Sequence, residues 1–380
     1  MAVPEPPLWE QIQYHGAPII DLHAHPSLKA TLFKRILTSR YAASRTFNPF
    51  SVRTDFNKLE EGGIDVLLST IYAPEDEIIG DCIYLKILSY LMPFTSHRLF
   101  SNGHFGTTIE MMNLMEAQVQ QSPKVKMAKS IKELDEILAQ GDGKPIAIIH
   151  SVEGAHSLDG KLENLEELHR RGVAYLILAH FYPNEAVYPV FPYPEFVQNI
   201  GCFEKGRDLT LGLTDFGKQL VENMVDLGMI PDISHCTPLA RRQVYDIVRN
   251  RIPIIASHVG AYEINPSPYN LKDWEIRRIA ESGGLVGVIF MNYWLMPHET
   301  GQGLNFIACT IDHVLNIGGI EAVGIGTDFD GFTDPPDDVK DASKLPIVTQ
   351  RLLAEGYTRE QMEKILGLNA LRVLRDGWKS

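Results

Sequence analysis

Residues 19–26 read IIDLHAHP: an apolar, β-branched run that ends in two histidines one residue apart. Side chains alternate faces along a strand, so His23 and His25 leave the same face and can bind one ion together. Working outward from this run, similar short apolar stretches recur at 17–22, 64–71, 145–152, 173–179, 228–234, 252–257, 284–291 and 321–327, each followed by a segment of helical periodicity. Strands alternating with helices imply a parallel sheet. Eight such units in 380 residues predict a (β/α)8 TIM barrel of the metal-dependent hydrolase type. A doubly wound sheet would instead place its site at one switch-point crevice.

The ends of these runs carry the chemistry. His23 and His25 close the first, Glu153 in IIHSVEGAH the third, His235 in IPDISHCT the fifth, His258 in IIASHVGA the sixth and Asp328 in GIGTDFDG the eighth. A barrel assembles its active site from different strands at their C-terminal ends, which is where these residues fall. A lone histidine at a strand end is an ordinary polar residue, but that reading has to account for five chelators at once.

Imidazole nitrogen and carboxylate oxygen suit Zn²⁺, and the lack of a cysteine ligand points to an open catalytic site. Five ligands exceed what one open ion takes from protein. The expectation is therefore two divalent metal ions, His23 and His25 on the first, His235 and His258 on the second, with Glu153 bridging; Mn²⁺ or Fe²⁺ suits the same donors. Such a pair activates a water and polarises a scissile carbonyl. Asp328 then serves as the base that takes the water proton and the acid that delivers it to the leaving group.

Composition narrows the class further. With 44% apolar and 22% charged residues the chain reads as a soluble globular protein, and a formal charge of −13 argues against nucleic-acid and anionic-membrane partners. No stretch is long enough to span a bilayer, and residues 1–16 lack the features of a secretory signal. Cys82, Cys202, Cys236 and Cys309 stand far apart without a CxxC spacing, which predicts reduced thiols and a cytoplasmic protein. Residues 1–16 are expected to form an N-terminal extension and 17–380 one barrel, with long insertions at about 75–144 and 181–211. Helical stretches are expected near 78–92, 107–121 and 131–139 of the first insertion. The second is rich in proline and aromatics, suiting a lid, a binding surface or an oligomer contact, so a homo-oligomer stays open.

Several blocks resemble the membrane (renal-type) dipeptidases and their bacterial relatives, the M19 metallopeptidases of the amidohydrolase superfamily: HSVEGAHSL at 150–158, LILAHFYPNEA at 176–186, GLTDFGKQLVENMVDLGMIPDISH at 212–235, IIASH at 254–258, IDHVLNIGGIEAVGIGTDFDG at 311–331 and ILGLNALRVL at 365–374. The resemblance runs from about residue 17 to 376. It implies a barrel with two zinc ions bridged by Glu153, hydrolysis of dipeptides and related amides, and a role for His180 against the tetrahedral intermediate or the substrate carbonyl.

Two departures accompany it. The family's first strand carries His-x-Asp where this chain has His23-Ala24-His25, so an imidazole replaces a carboxylate. The family's substrate-binding arginine, eleven residues after the last metal histidine, is replaced by Tyr269, with Lys205, Arg207, Arg241 or Arg242 as substitutes for the lost cation. The expectations are a metal-dependent hydrolase of a dipeptide or related small amide, weak action on free dipeptides, and a gain for dipeptides on Tyr269→Arg. The alternatives are the same centre acting on a cyclic amide, lactone or ester, or a non-hydrolytic relative such as a decarboxylase.

Overall fold

The computed structural model describes residues 5–45, 47–141, 143–191, 207–296 and 303–380. Its strands are β1 (Ile20–Ala24), β2 (Val66–Ile71), β3 (Val125–Met127), β4 (Ile146–Glu153), β5 (Val173–Ile177), β6 (Ile230–Asp232), β7 (Ile255–Val259), β8 (Leu285–Val288) and β9 (Val323–Ile325). They hydrogen-bond in the order β2-β1-β9-β8-β7-β6-β5-β4-β3, and β2 also pairs with β4, which closes eight parallel strands into a barrel. Each of the eight runs read from the sequence overlaps one barrel strand. The remaining strand, β3, adds to the outer edge of β4 from inside the first insertion; it is only three residues long and Lys126 is exposed, too little for an apolar run to announce.

Residues from β1, β2, β4, β5, β7 and β8 share one cluster, which strands on opposite sides can do only inside the barrel: Ile20, Leu68, Ile149, Tyr175, Ile177, Ile255 and Leu285 meet Leu371, Leu374 and Trp378 at the chain end. A larger cluster packs the outer strand faces against the helical shell. The helix Leu8–His15 lies at the strand N-termini, where the Gln13 amide donates to the Gly62 carbonyl ahead of β2 and accepts from Thr349 Oγ1.

The first insertion folds as helices Glu77–Asp81, Ile83–Leu91, Gly103–Gln120 and Ile131–Leu138 over the stretches expected to be helical, with a further helix, Pro93–Phe100, between them. Residues 192–206 of the second insertion, with Cys202 and Lys205, lie outside the described residues. Cys236 and Cys309 are free, but Cys82 is disulfide-bonded, so the expectation of reduced thiols fails for it and cannot support a cytoplasmic location. No helix among the described residues is long and apolar enough to cross a membrane.

Candidate metal centre

Local sequence fixes each ligand-bearing turn. The helix ahead of β6 begins at Thr214, whose hydroxyl accepts from Gly217 N, and stops at Gly228 in the left-handed region. After β6 the next helix starts at once, with Thr237 accepting from Ala240 N and Pro238 in its first turn. His235 is held between these constraints with φ 63°, and Asp328, after β9, has φ 56°. Non-glycine residues rarely adopt this conformation, and it gathers at functional sites where neighbours over-determine it. Here Asp328 N donates to His23 O at 2.9 Å and Thr333 Oγ1 to Asp328 O at 2.9 Å. The Asp330 carboxylate accepts from Arg53 N at 2.9 Å and Thr54 N at 3.0 Å, tying the turn to the chain ahead of β2. A Cβ at Gly331 would sit 2.1 Å from Asp328 Oδ1, so a larger residue there would displace that carboxylate.

The structure gathers all five proposed ligands, buried, and the partly exposed Asp328 at one barrel mouth. His23 Nε2 and His25 Nε2 are 2.9 Å apart, and His235 Nε2 and His258 Nε2 3.0 Å apart. Glu153 lies between the pairs. Its Oε1 is 3.3 Å from His235 Nε2 and 3.5 Å from His258 Nε2, while Oε2 is 3.3 Å from His25 Nε2. Asp328 Oδ1 is 3.4 Å from His25 Nε2. His180, after β5, places Nε2 3.6 Å from Glu153 Oε2.

The donors fit divalent cations. Nitrogens about 2.0–2.1 Å from a shared Zn²⁺ lie roughly 3 Å from each other, as both histidine pairs do. Glu153 Oε1 is buried without a hydrogen-bond donor, an expensive state for a carboxylate that a cation relieves. Tyr175 Oη donates to Leu22 O at 2.7 Å and so accepts from His23 Nδ1 at 3.0 Å, leaving the His23 Nε2 lone pair facing the centre. Ser257 Oγ stands 2.9 Å from His258 Nδ1 and orients that ring likewise.

Electrostatics agree. Burial, with neighbouring imidazoles, holds His23 and His258 well below the usual histidine range, so both are neutral. Burial alone would raise Glu153, but His180, His23, His235 and His25 keep it well below the carboxylate range. Burial, with repulsion from Glu153, lifts Asp328 to about 6 against the pull of His25. For His180, the carboxylates of Glu153 and Glu75 outweigh burial and raise its pKa above the ordinary histidine value.

Tyr269, at the position expected to meet substrate in place of the family's arginine, lines the cavity with its ring and turns its hydroxyl to the backbone. Its Oη donates to His258 O at 2.9 Å, its ring stacks on Trp294 with centroids 4.3 Å apart, and it meets His235 edge-on at 5.0 Å; the ring lines the cavity. Arg241 is buried and spends its guanidinium on Pro268 O, Tyr269 O, Asn270 O and Glu275, holding the segment that carries Tyr269. Arg242 is exposed, and Arg207 donates to Phe181 O at 2.8 Å.

Glu75 is a site residue that the sequence reading missed. It follows β2, and its Oε1 is 3.2 Å from His180 Nδ1 and accepts from Phe181 N at 3.0 Å, while Tyr72 Oη donates to Oε2. The signal was faint, since Glu75 opens the acidic triplet Glu75-Asp76-Glu77 that reads as a solvated turn. Asp21 and Asp232 were also passed over. Asp21 accepts from Thr327 and from His23 N, Asp232 from Ser234 and Ser257 N, so both brace ligand-bearing strands; an acid inside an apolar run was the available clue.

Comparison with known proteins agrees with this architecture. A family model described as membrane dipeptidase (peptidase family M19) matches residues 10–377. Dipeptidase tcpJ of Claviceps purpurea is 29% identical over 273 residues, 71% of this chain and 59% of that protein. An uncharacterized dipeptidase of Schizosaccharomyces pombe is 31% identical over 64% of this chain and 55% of its own length, so the chain spans little more than half of these curated relatives. Among solved structures, a metallopeptidase from Rhodobacter sphaeroides liganded with a phosphinate mimic of the dipeptide L-Ala-D-Ala superposes with a TM-score of 0.77, at 21% identity over 95% of this chain and 99% of that one. The M19 metallopeptidase dipeptidase AC gives 0.73 at 22% identity over 96% and 99%. At these identities the structural likeness speaks for the barrel.

Proposed function

The chain belongs to the membrane dipeptidase family, peptidase family M19, and from that premise we propose that it is a metal-dependent hydrolase that cleaves the amide bond of a dipeptide or related small molecule. One observation carries the reading: four imidazoles converge on the buried carboxylate of Glu153 at 3.3–3.7 Å, and Asp328 Oδ1 lies 3.4 Å from one of them, His25. His23, His25 and Glu153 would hold one cation and Glu153, His235 and His258 the other, Zn²⁺ being the best match to this donor set. When bound, the ions supply Lewis-acid polarisation of the carbonyl and a water acidic enough to attack at neutral pH.

The residues supply the rest. Glu153 stays ionised among the imidazoles and keeps the two pairs in register. Asp328 takes the proton from the attacking water as its oxygen bonds to the carbonyl carbon. It returns that proton to the leaving nitrogen as the C–N bond breaks, so acid and amine leave with one water added. His180, turned by Glu75 so that Nε2 faces the centre, donates to the carbonyl oxygen as negative charge develops there.

Purified protein loaded with Zn²⁺ or Mn²⁺ and assayed against dipeptides, small amides, lactones and esters tests the reading. Roughly two metal equivalents per chain and amide cleavage abolished by a chelator are expected. Full activity in metal-stripped protein would refute it.

A further inference from the structure

The cavity above the centre has a volume of about 720 Å³, the size that encloses a drug-sized ligand and more than a small dipeptide fills. Its carboxylates and imidazoles gather on the floor, at His25, Glu153, His180, His235 and Asp328. The walls are apolar: Leu28, Phe33 and Phe50 on one side, Leu88 and Met92 from the first insertion, and Trp294 beside Tyr269. No lysine or arginine lines it among the described residues. Lys29, close by, points its Nζ to Pro49 O at 2.7 Å and over the Phe332 ring.

The entrance has the same character. Phe47, Phe50 and Tyr84 line the cavity and are 52%, 51% and 63% exposed, so the apolar wall continues to the rim. Residues 82–100 form one wall, and the cations of that segment, Lys86 and Arg98, do not line the cavity. A carboxylate seated against these walls would lose its water and gain no cation from the described residues. A hydrocarbon group would bury its surface at no such penalty.

Building on the hydrolase reading, we infer that the substrate of this site is an amide bearing a large uncharged apolar acyl group that fills the cavity, with no free carboxylate seated there. Hydrolysis adds water across the same C–N bond and releases the apolar acid and the amine.

The test is a series of p-nitroanilides with acetyl, hexanoyl and decanoyl groups, compared with free dipeptides such as Leu-Leu on the metal-loaded protein. Acetyl, hexanoyl and decanoyl glycinamides are titrated into metal-free protein by calorimetry in parallel. Affinity and kcat/KM should each rise by roughly tenfold or more from acetyl to decanoyl, because each buried methylene adds favourable transfer free energy. Leu88→Asp and Phe50→Asp should reduce decanoyl binding more than acetyl binding, with thermal unfolding reporting that each variant folds. Chain-length-independent binding, or free dipeptides cleaved faster than the decanoyl amide, would overturn the inference. Chain-length-dependent binding without cleavage of any amide would support the apolar occupant while refuting the hydrolase reading.

Discussion

The Nδ1 of His180 stands 3.2 Å from Glu75 Oε1, a carboxylate–imidazole pair joining the ends of β5 and β2. The same oxygen accepts from Phe181 N at 3.0 Å, so Glu75 orients the His180 ring and keeps Nδ1 protonated. Burial alone would raise Glu75, but His180, His156 and the Tyr72 hydroxyl hold it far below the carboxylate range. Glu75→Gln keeps the shape and removes the charge. The expected result is a fall in kcat of roughly ten- to a hundredfold with metal content unchanged, the usual effect of losing a residue that orients a site group. Steady-state kinetics beside elemental analysis check it; unchanged kcat would remove Glu75 from the mechanism.

Glu153 is the proposed ligand placed against both histidine pairs. Glu153→Ala should release at least one metal equivalent per chain and nearly all activity, since what remains is two imidazole pairs with no shared anion. Metal counting after gel filtration decides this, and two equivalents retained by the variant would sink the bridging role.

Asp328 offers both a kinetic and a proton-linked expectation. Asp328→Asn should lower kcat by roughly 10²–10⁴ while metal stays bound, the usual range for a positioned acid or base. In the metal-free protein burial lifts Asp328 to about 6, so it is protonated at pH 5 and ionised at pH 7.5. A bound cation favours the ionised form, so metal binding at pH 5 must expel this proton, and affinity must fall as pH drops below about 6. Calorimetry in buffers of different ionisation enthalpy should show more proton release at pH 5 from the unmodified protein than from Asp328→Asn. Equal release would show that Asp328 does not carry that proton.

The ligands were legible because a parallel barrel turns sequence position into location: a residue closing an apolar run lands at the strand C-terminus, and His23, Glu153, His235 and His258 all close such runs. Glu75 escaped because it lies four residues beyond Ile71, in a turn whose acids look solvated until His180 is brought to it by another strand. β3 escaped through its length. Cys82 was misread because spacing along the chain says nothing about which thiols the fold brings together. Tyr269 shows a different limit, since an alignment position predicts which side chain is present but not where its hydroxyl points.

That geometry reverses the expectation for Tyr269→Arg. As a substitution judged from sequence alone, it promises a gain for dipeptides by restoring a guanidinium. In the structure the tyrosine is buried, donates to His258 O at 2.9 Å, stacks on Trp294 and abuts His235. An arginine there places a charge in an apolar wall, breaks the stack and takes the donor from the carbonyl of a proposed ligand. Loss of that hydrogen bond alone costs about 1–3 kcal/mol when the acceptor stays buried. Tyr269→Phe isolates this part and should lower the melting temperature modestly with the stack kept. Tyr269→Arg should lower it further, weaken metal retention and leave dipeptide kcat/KM no higher than in the unmodified protein. Thermal unfolding, metal analysis and dipeptide kinetics on the two variants make the comparison; a tenfold or greater gain on dipeptides with unaltered stability would show that the position can still accept the family's carboxylate grip.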